Sequence, residues 1–389
     1  LHKHPSVKIE LKTVPYYITM IDELIENGCI KYGSFKLKSN EISKYYFDMK
    51  SIVSYPRLLK KIGNEIYKKI GKECDLLCGV PLGGLPICSY ISTQYEIPMI
   101  MVRDEAKEYG TSRQIEGNYE KKNKCVIIED VITTGGSVNK IIDILKDKVD
   151  IIGVIVIMDR QEGHQCKVPV QSVITKTDVV KYRLNQLIKE KGSRLCFSGD
   201  LDNKADLVNI LEKIGDKIVI CKIHYDFYED NDGSLKRELI ELSIKHRFLI
   251  MEDRKFVDIS HTVSKQYTRF SKWVDMVTVM GNVNSDVVSK LSGVVLVANM
   301  SNNSFDSTDT AIRTSEMYPE RVIGFVTQYR IKDDPFFNMT PGIHLSTHKD
   351  GDQNYRTKED VDTDIIIVGR GIYNSEDVVN SAELYRTIG

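Results

Sequence analysis

The sequence predicts an α/β protein in two units: a parallel sheet covered on both faces, followed by a compact (β/α)8 barrel. Three observations carry this. The 389 residues exceed what one ordinary core organises, so two domains are the natural division. In the first half, nearly continuous apolar runs at 75–80 (DLLCGV), 124–128 (KCVII) and 151–158 (IIGVIVIM) are separated by other segments, as strands buried on both faces require. Beyond residue 193 apolar runs recur eight times, with helical patterns in most of the intervals, which suits the strand–helix units of a barrel.

The elements follow in order. Residues 56–71 (PRLLKKIGNEIYKKIG) read as an amphipathic helix, with Pro56 suited to its first turn and Gly71 to its end. A further helix is expected over 137–148, between the second and third runs. The stretch 160–193 carries fewer strand signals and contains the charged, helix-like DVVKYRLNQLIKEKG (178–192), so the boundary is placed there, giving domains 1–180 and 181–389. The barrel strands are expected at 194–199, 217–223, 248–252, 275–280, 293–300, 321–327, 342–346 and 364–368. Segments 205–214 (ADLVNILEKI) and 235–246 (LKRELIELSIKH) show helical periodicity between them. The seventh run has the weakest pattern, and periodicity alone leaves seven or nine strands open.

Composition excludes several function classes. The balance of 54 basic against 55 acidic residues gives no general pull towards nucleic acid or a membrane surface. No apolar run approaches a membrane span, and the opening LHKHPS has no signal-peptide pattern. Leu1 in place of an initiator Met leads us to expect the natural start upstream. The eight cysteines are scattered, and the one close pair, Cys74 and Cys78, is neither a CxxC nor matched by a second pair. Reduced, mostly buried thiols in a cytoplasmic protein are expected.

Chemistry in the first half centres on VIIEDVITTGGS (126–137): an apolar strand, two carboxylates, then a glycine turn opening a helix. Backbone N–H groups at such a turn, helped by the helix N-terminus, cradle a phosphate. A single acidic loop of this kind is common, but the carboxylate pair with T-T-G-G-S is far more specific, and it resembles the PRPP-binding motif of type I phosphoribosyltransferases. Segments 32–59 (YGSFKLKSNEISKYYFDMKSIVSYPRLL), 78–87 (CGVPLGGLPI), 102–117 (VRDEAKEYGTSRQIEG) and 158–163 (MDRQEG) narrow the resemblance to orotate phosphoribosyltransferase. The resemblance implies that Glu129 and Asp130 bind the ribose hydroxyls while Thr133, Thr134, Gly135, Gly136 and Ser137 cradle the phosphate. Lys38 would approach the diphosphate and orotate, Tyr46 and Phe47 would form the base pocket, and Arg160 would help hold orotate. Arg103 and Lys107 would lie on a closing loop, with Lys107 entering the neighbouring subunit's site to assist departure of the diphosphate. Mg²⁺ would accompany PRPP, without a direct protein ligand. Two departures stand out: Asp104 follows Arg103 where the family carries a second cation, and Leu82-Gly83 replace more usual polar residues. A carboxylate near a diphosphate is unfavourable unless it turns away or is paired.

In the second half, polar and charged residues gather at strand ends. These are Ser198 and Asp200 (CFSGD), Lys222 (ICKIHYD), Asp253 and Lys255 (IMEDRKF), Ser301 (ANMS) and Gly369-Arg370 (IIIVGRG), with Thr340-Pro341-Gly342 and Gln353-Asn354-Tyr355 between the last two. Catalysis on a barrel belongs at these carboxyl ends. Side chains two apart on a strand share a face, so Asp253 and Lys255 are expected side by side, a costly juxtaposition unless it serves a site. The strings F-S-x-D, C-K-x-H-x-D, E-D-R-K-F-x-D-I, T-P-G-I and D-I-I-I-V-G-R-G resemble orotidine 5′-monophosphate (OMP) decarboxylase across 194–389. The resemblance implies a Lys222-Asp253-Lys255-Asp258 array, with Asp258 and Thr262 supplied to the partner's site in a homodimer. It implies ribose contacts from Asp200 and Lys222, a pyrimidine contact from Ser301, a phosphate clamp of Gln353, Tyr355 and Arg370, and further OMP contacts from Ser198, Pro341 and Gly369, with no cofactor. The halves together resemble the uridine 5′-monophosphate (UMP) synthase family, with orotate, PRPP and OMP as its small-molecule substrates. A decarboxylase whose first half serves dimerisation, or senses PRPP or a nucleotide, stays open. His224, His344 and His348 are read as structural or loop residues, Trp273 as packing, and 228–238 as a solvated turn.

Overall fold

A computed structural model of the chain describes residues 16–36, 42–103, 114–300, 305–346, 348–350, 353–357 and 360–386. Its first unit is a six-stranded sheet. Across the sheet the strands run Ile115–Glu116, Met99–Val102, Leu76–Gly79, Lys124–Ile132, Asp150–Asp159 and Val170–Thr175. All neighbours are parallel except the first pair. Alternation along the strands feeds two separate cores, as expected of a sheet covered on both faces. Leu77, Val126 and Ile128 pack with Leu58, Ile62 and Ile87 of helices Pro56–Lys69 and Gly84–Tyr95. Leu76, Cys78, Cys125 and Ile127 pack with Val138, Ile141 and Leu145 of helix Gly136–Leu145. An antiparallel hairpin, Ile30–Lys36 with Ile42–Phe47, forms a separate two-stranded sheet.

The second unit is a closed barrel of eight parallel strands. In chain order they are Leu195–Ser198, Ile220–Ile223, Leu249–Phe256, Met276–Met280, Val294–Val297, Val322–Val326, Phe337–Pro341 and Ile365–Val368. Seven of them overlap the apolar runs read from the sequence. The seventh does not: the strand is FNMTP at 337–341 and not 342–346. Its signal is masked by Asn338 and Thr340, both fully buried. Asn338 is satisfied by the Ile331 N–H, the Lys332 carbonyl and the Asp364 carboxylate, so a polar residue sits in the strand without an unpaired group.

The helix Lys176–Lys191 joins the two units and is started by a capping box between Thr175 and Asp178. It lies against the floor of the barrel, opposite the carboxyl ends of the strands. Three of its lysines donate to backbone carbonyls there: Lys176 to Ser271 (2.9 Å), Lys181 to Pro319 (3.1 Å), and Lys191 to Gly215, Ile218 and His246 (2.6–2.8 Å). All eight cysteines are free thiols and six are buried. No helix among the described residues is long and apolar enough to cross a membrane.

Candidate active sites

The barrel site grows from strand alternation. Cys196, Ile220, Leu249, Met251 and Met276 point into the barrel, and two residues further on the same faces carry Ser198, Lys222, Asp253 and Thr278 to its carboxyl rim. There Ser198, Lys222 and Asp253 line a cavity of about 480 Å³ shared with Asp200, His224, Lys255, Pro341, Tyr355, Gly369 and Arg370, while Thr278 is fully buried. Asp253 is the hub. One of its oxygens lies 2.5 Å from Lys222 Nζ and 2.7 Å from Lys255 Nζ, and 3.3 Å from His224 Nε2. The other accepts from the Thr278 hydroxyl at 2.8 Å. Asp200 stands 3.6 Å from both Lys222 and His224, and accepts from the Ser198 hydroxyl at 2.7 Å.

Burial by itself would raise the Asp253 carboxyl, but Lys222 above all, then the His224 hydrogen bond and Lys255, hold it well below the usual carboxylate range. Burial likewise works to lower Lys222, and the charges of Asp253 and Asp200 reverse this and push it up. Both groups are therefore charged, with Lys222 and Asp253 each only 7% exposed. Lys222 and Lys255 balance Asp253 and Asp200, and Arg370 on the same cavity adds a further cation, fit for an anionic substrate.

The backbone that presents Lys255 is irregular. Glu252 pairs with Val277 and Phe256 with Val279, so four steps on one strand face two on its neighbour. Lys255 takes up the excess at φ +50°, and its N–H donates to Thr278 Oγ1 at 2.9 Å. The two charges therefore meet through a bulge and not through plain alternation.

Of the remaining sequence candidates, Asp258 is exposed and lies outside this cavity, as does Thr262 on the following helix, Ser260–Tyr267. Ser301 lies outside the described residues, and Gln353 belongs to a short strand pair, His348–Asp350 with Gln353–Tyr355. His224, read as structural, instead faces both carboxylates and stacks on Phe227 with ring centroids 4.8 Å apart. Its C-K-I-H spacing, two residues after Lys222, was the available signal. Thr278 was also missed, because a threonine inside an apolar run carries no signal of its own. His344 hydrogen-bonds Ser346 and packs near Tyr355, and Trp273 is buried beside Tyr225 and Phe270.

In the first unit the strand expected at 124–128 continues to Ile132, so Glu129 and Asp130 lie within it, paired along Asp150–Asp159, and are 5% and 4% exposed. Lys50, from the turn Met49–Ser54, reaches Asp130 at 2.7 Å. Burial and the hydrogen bond and charge of Asp130 raise Glu129 to about 9, whereas Asp130 is lowered: burial opposes this, but hydrogen bonds from Glu129 and Lys50 prevail. One proton thus serves two carboxyls. Gly83 leaves the space that Asp130 needs, since a Cβ there would run into its carboxylate. Gly135 caps the following helix at φ +84°, in the left-handed region that favours glycine, with Thr133 and Thr134 before it and Gly136 and Ser137 in its first turn.

The base-pocket candidates lie beside this loop. The Arg160 N–H donates to the Ile132 carbonyl, and its guanidinium sits 5.8 Å from the Phe47 ring and 2.6 Å from Glu162. Tyr46 is exposed and stacks on Phe35. Arg103 pairs with Glu116 at 3.0 Å. Lys38, Asp104 and Lys107 lie outside the described residues. Lys50 was not singled out from the sequence, because nothing local marks a lysine that reaches across 80 positions. Among the described residues no three His, Cys, Asp or Glu side chains converge as a metal cage.

Comparison with known proteins agrees in both halves. The Phosphoribosyl transferase domain model matches residues 48–184, and the Orotidine 5′-phosphate decarboxylase / HUMPS family model matches 193–385. The chain is 29% identical to a bovine uridine 5′-monophosphate synthase, over 95% of each chain. It is 40% identical to an orotate phosphoribosyltransferase of Pyrococcus horikoshii, over 37% of this chain and 80% of that one. To an orotidine 5′-phosphate decarboxylase of Aureobasidium pullulans it is 33% identical, over 55% of this chain and 87% of the relative. With the charged rim in the second unit and the acidic strand and glycine turn in the first, the chain belongs to the uridine 5′-monophosphate synthase family, an orotate phosphoribosyltransferase unit fused to an orotidine 5′-phosphate decarboxylase unit.

Proposed function

We propose that the chain carries out two consecutive steps of pyrimidine nucleotide synthesis: orotate and PRPP give OMP and diphosphate, and OMP gives UMP and CO₂. The observation that carries this is the buried Lys222–Asp253–Lys255 array at the rim of the barrel cavity. Asp253, anionic, faces the substrate carboxylate, and their repulsion eases as CO₂ departs. The electrons of the broken bond remain on C6, where the Lys255 ammonium stabilises them and then delivers its proton. Lys222 keeps Asp253 charged and, with Asp200, engages the ribose. Ser198, Ser301 and Pro341 contact the pyrimidine, and Gln353, Tyr355, Gly369 and Arg370 grip the 5′-phosphate, whose binding energy is used at the distant carbon. No cofactor takes part in this step.

In the transferase unit the shared proton of Glu129 and Asp130 leaves one carboxylate and one neutral acid for the ribose hydroxyls, and residues 133–137 offer N–H donors to the phosphate. Mg²⁺ would accompany PRPP near this pair, where it would offset charge on the departing diphosphate. Tyr46, Phe47, Arg160 and Lys38 hold orotate, and Arg103 and Lys107 meet the diphosphate. The homodimer is supported by Val257 and Ile259, 68% and 70% exposed beside Asp258, an apolar surface that a second copy would cover while Asp258 and Thr262 complete its site. The units divide at 180/181, inside the helix Lys176–Lys191, so that this helix belongs to both. Free thiols throughout suit the cytoplasm.

The test supplies orotate, PRPP and Mg²⁺, and separately OMP, and follows orotate loss and UMP formation. OMP turnover without orotate consumption would leave a decarboxylase with a silent first unit, the reading that Asp104 favours.

A further inference from the structure

Both elements that would grip orotate are tied to the floor of the barrel, in the other unit. Asp275, immediately before the fourth barrel strand, is 2% exposed. Its carboxylate accepts from the Tyr45 hydroxyl at 2.6 Å and the Ile250 N–H at 2.7 Å, and takes the buried Lys44 ammonium as well. Lys44 and Tyr45 belong to the hairpin strand Ile42–Phe47. Tyr45 stacks on Phe47 with ring planes 3° apart, and Phe47 carries Arg160 over its face. The loop after Asp159 has its own anchors: Gln161 Nε2 donates to the Glu320 carbonyl at 2.8 Å, and Arg321 lies 3.6 Å from Asp159. The PRPP-side pair is held differently, by Lys50 within the first unit.

A two-stranded hairpin is marginal alone, so its position needs an outside anchor. A buried ion pair supplies geometry more than stability, and it enforces that geometry because an unpaired buried charge is expensive. Burial already pulls Lys44 down despite its partner, which marks how far this pair has been taken out of water. Asp275 stands at the amino end of its strand and outside the decarboxylase cavity, on the opposite side of the barrel from Thr278's hydroxyl and Lys255.

We propose that Asp275 is a cross-unit positioning residue for the transferase: through Tyr45 and Lys44 the barrel floor fixes the hairpin wall of the orotate pocket, and so sets orotate affinity. The proposal rests on the transferase reading above. It is tested by steady-state kinetics of the full chain as wild type, Asp275→Asn and Tyr45→Phe, the last keeping the ring and removing only the hydroxyl. Orotate is varied at saturating PRPP and the reverse, and OMP decarboxylation is measured on the same preparations. The KM for orotate is expected to rise about fivefold or more in both variants, while the KM for PRPP and the decarboxylase rate stay within about twofold. An unmoved orotate KM in both variants overturns the proposal. So does an equal rise in both KM values, or a matching loss of decarboxylation, because either means general loosening. Wild type that leaves orotate unconsumed defeats the transferase reading itself, and that outcome is separate from the other two.

Discussion

Replacing Lys222 with Met keeps most of the side-chain volume and removes the charge that holds Asp253. The nitrogen lies 2.5 Å from the carboxylate, and both residues are 7% exposed. Removing one partner of a buried pair costs roughly 3–5 kcal/mol, because the other charge stays behind. Asp253 would retain Lys255 at 2.7 Å and the Thr278 hydroxyl at 2.8 Å, so the lower end, about 3 kcal/mol, applies. At about 2–4 °C per kcal/mol for a unit of this size, the barrel should melt about 6–12 °C lower. The pH dependence has a definite sign. Asp253 is lowered and Lys222 raised, so the pair's contribution is fully present between about pH 4 and about pH 10. It is lost as pH falls through the folded Asp253 value or rises through that of Lys222. Without Lys222 the folded Asp253 value moves up, and loss of stability in acid should begin at higher pH than in wild type. OMP turnover, followed by ultraviolet absorbance, should fall by about a thousandfold or more, equivalent to roughly 4 kcal/mol of the barrier. A variant within tenfold of wild-type turnover and melting within about 2 °C would refute the account of this array.

Two further predictions concern side chains that the sequence did not mark. His224→Ala removes a ring nitrogen 3.3 Å from Asp253 and 3.6 Å from Asp200; a hydrogen bond to a charged group contributes roughly 1.5–3 kcal/mol to stability, so the barrel should melt about 3–12 °C lower, and OMP turnover should fall as Asp253 loses a fixed contact. Unchanged kcat and kcat/KM would reduce the ring to packing against Phe227. Glu252 is 1% exposed, accepts from the Tyr225 N–H at 3.1 Å, and is pushed up to about 8 by burial. A carboxyl raised on folding destabilises as pH climbs from its unfolded value to its folded one, so Glu252→Gln should stabilise the barrel by on the order of 2 kcal/mol near pH 8 and by little near pH 4. Equal melting shifts at both pH values would contradict that.

How much was legible depends on where the information lies along the chain. Seven of the eight barrel strands announce themselves as apolar runs, and their register then brings Ser198, Lys222 and Asp253 to one rim. Phe337–Pro341 escaped because Asn338 is buried against partners at Ile331, Lys332 and Asp364, so its polarity is satisfied by segments that a local pattern does not see. Glu129 and Asp130 were legible as a pair, but their strand was cut short, since two carboxylates look like a strand's end until Lys50 and a shared proton compensate them. The contact between Asp275 and the hairpin links positions 230 residues apart, and no spacing rule reaches that far.

The pairing of Asp253 with Lys255 shows how a correct expectation can rest on the wrong cause. Alternation on a flat strand would place both on one face, yet two extra residues separate Glu252 from Phe256 relative to the neighbouring strand. Lys255 sits at φ +50°, a conformation that costs a non-glycine residue on the order of 1 kcal/mol. Thr278 offsets this cost from both sides: its hydroxyl accepts the Lys255 N–H and donates to Asp253. A bulge that is strained, paired to a buried hydroxyl and placed at a catalytic rim aims a side chain in a way that a regular strand does not. On a regular strand the Lys255 ammonium would follow the pleat. Here its direction is set by a threonine on the next strand, so the position of the ammonium is decided by two strands acting together.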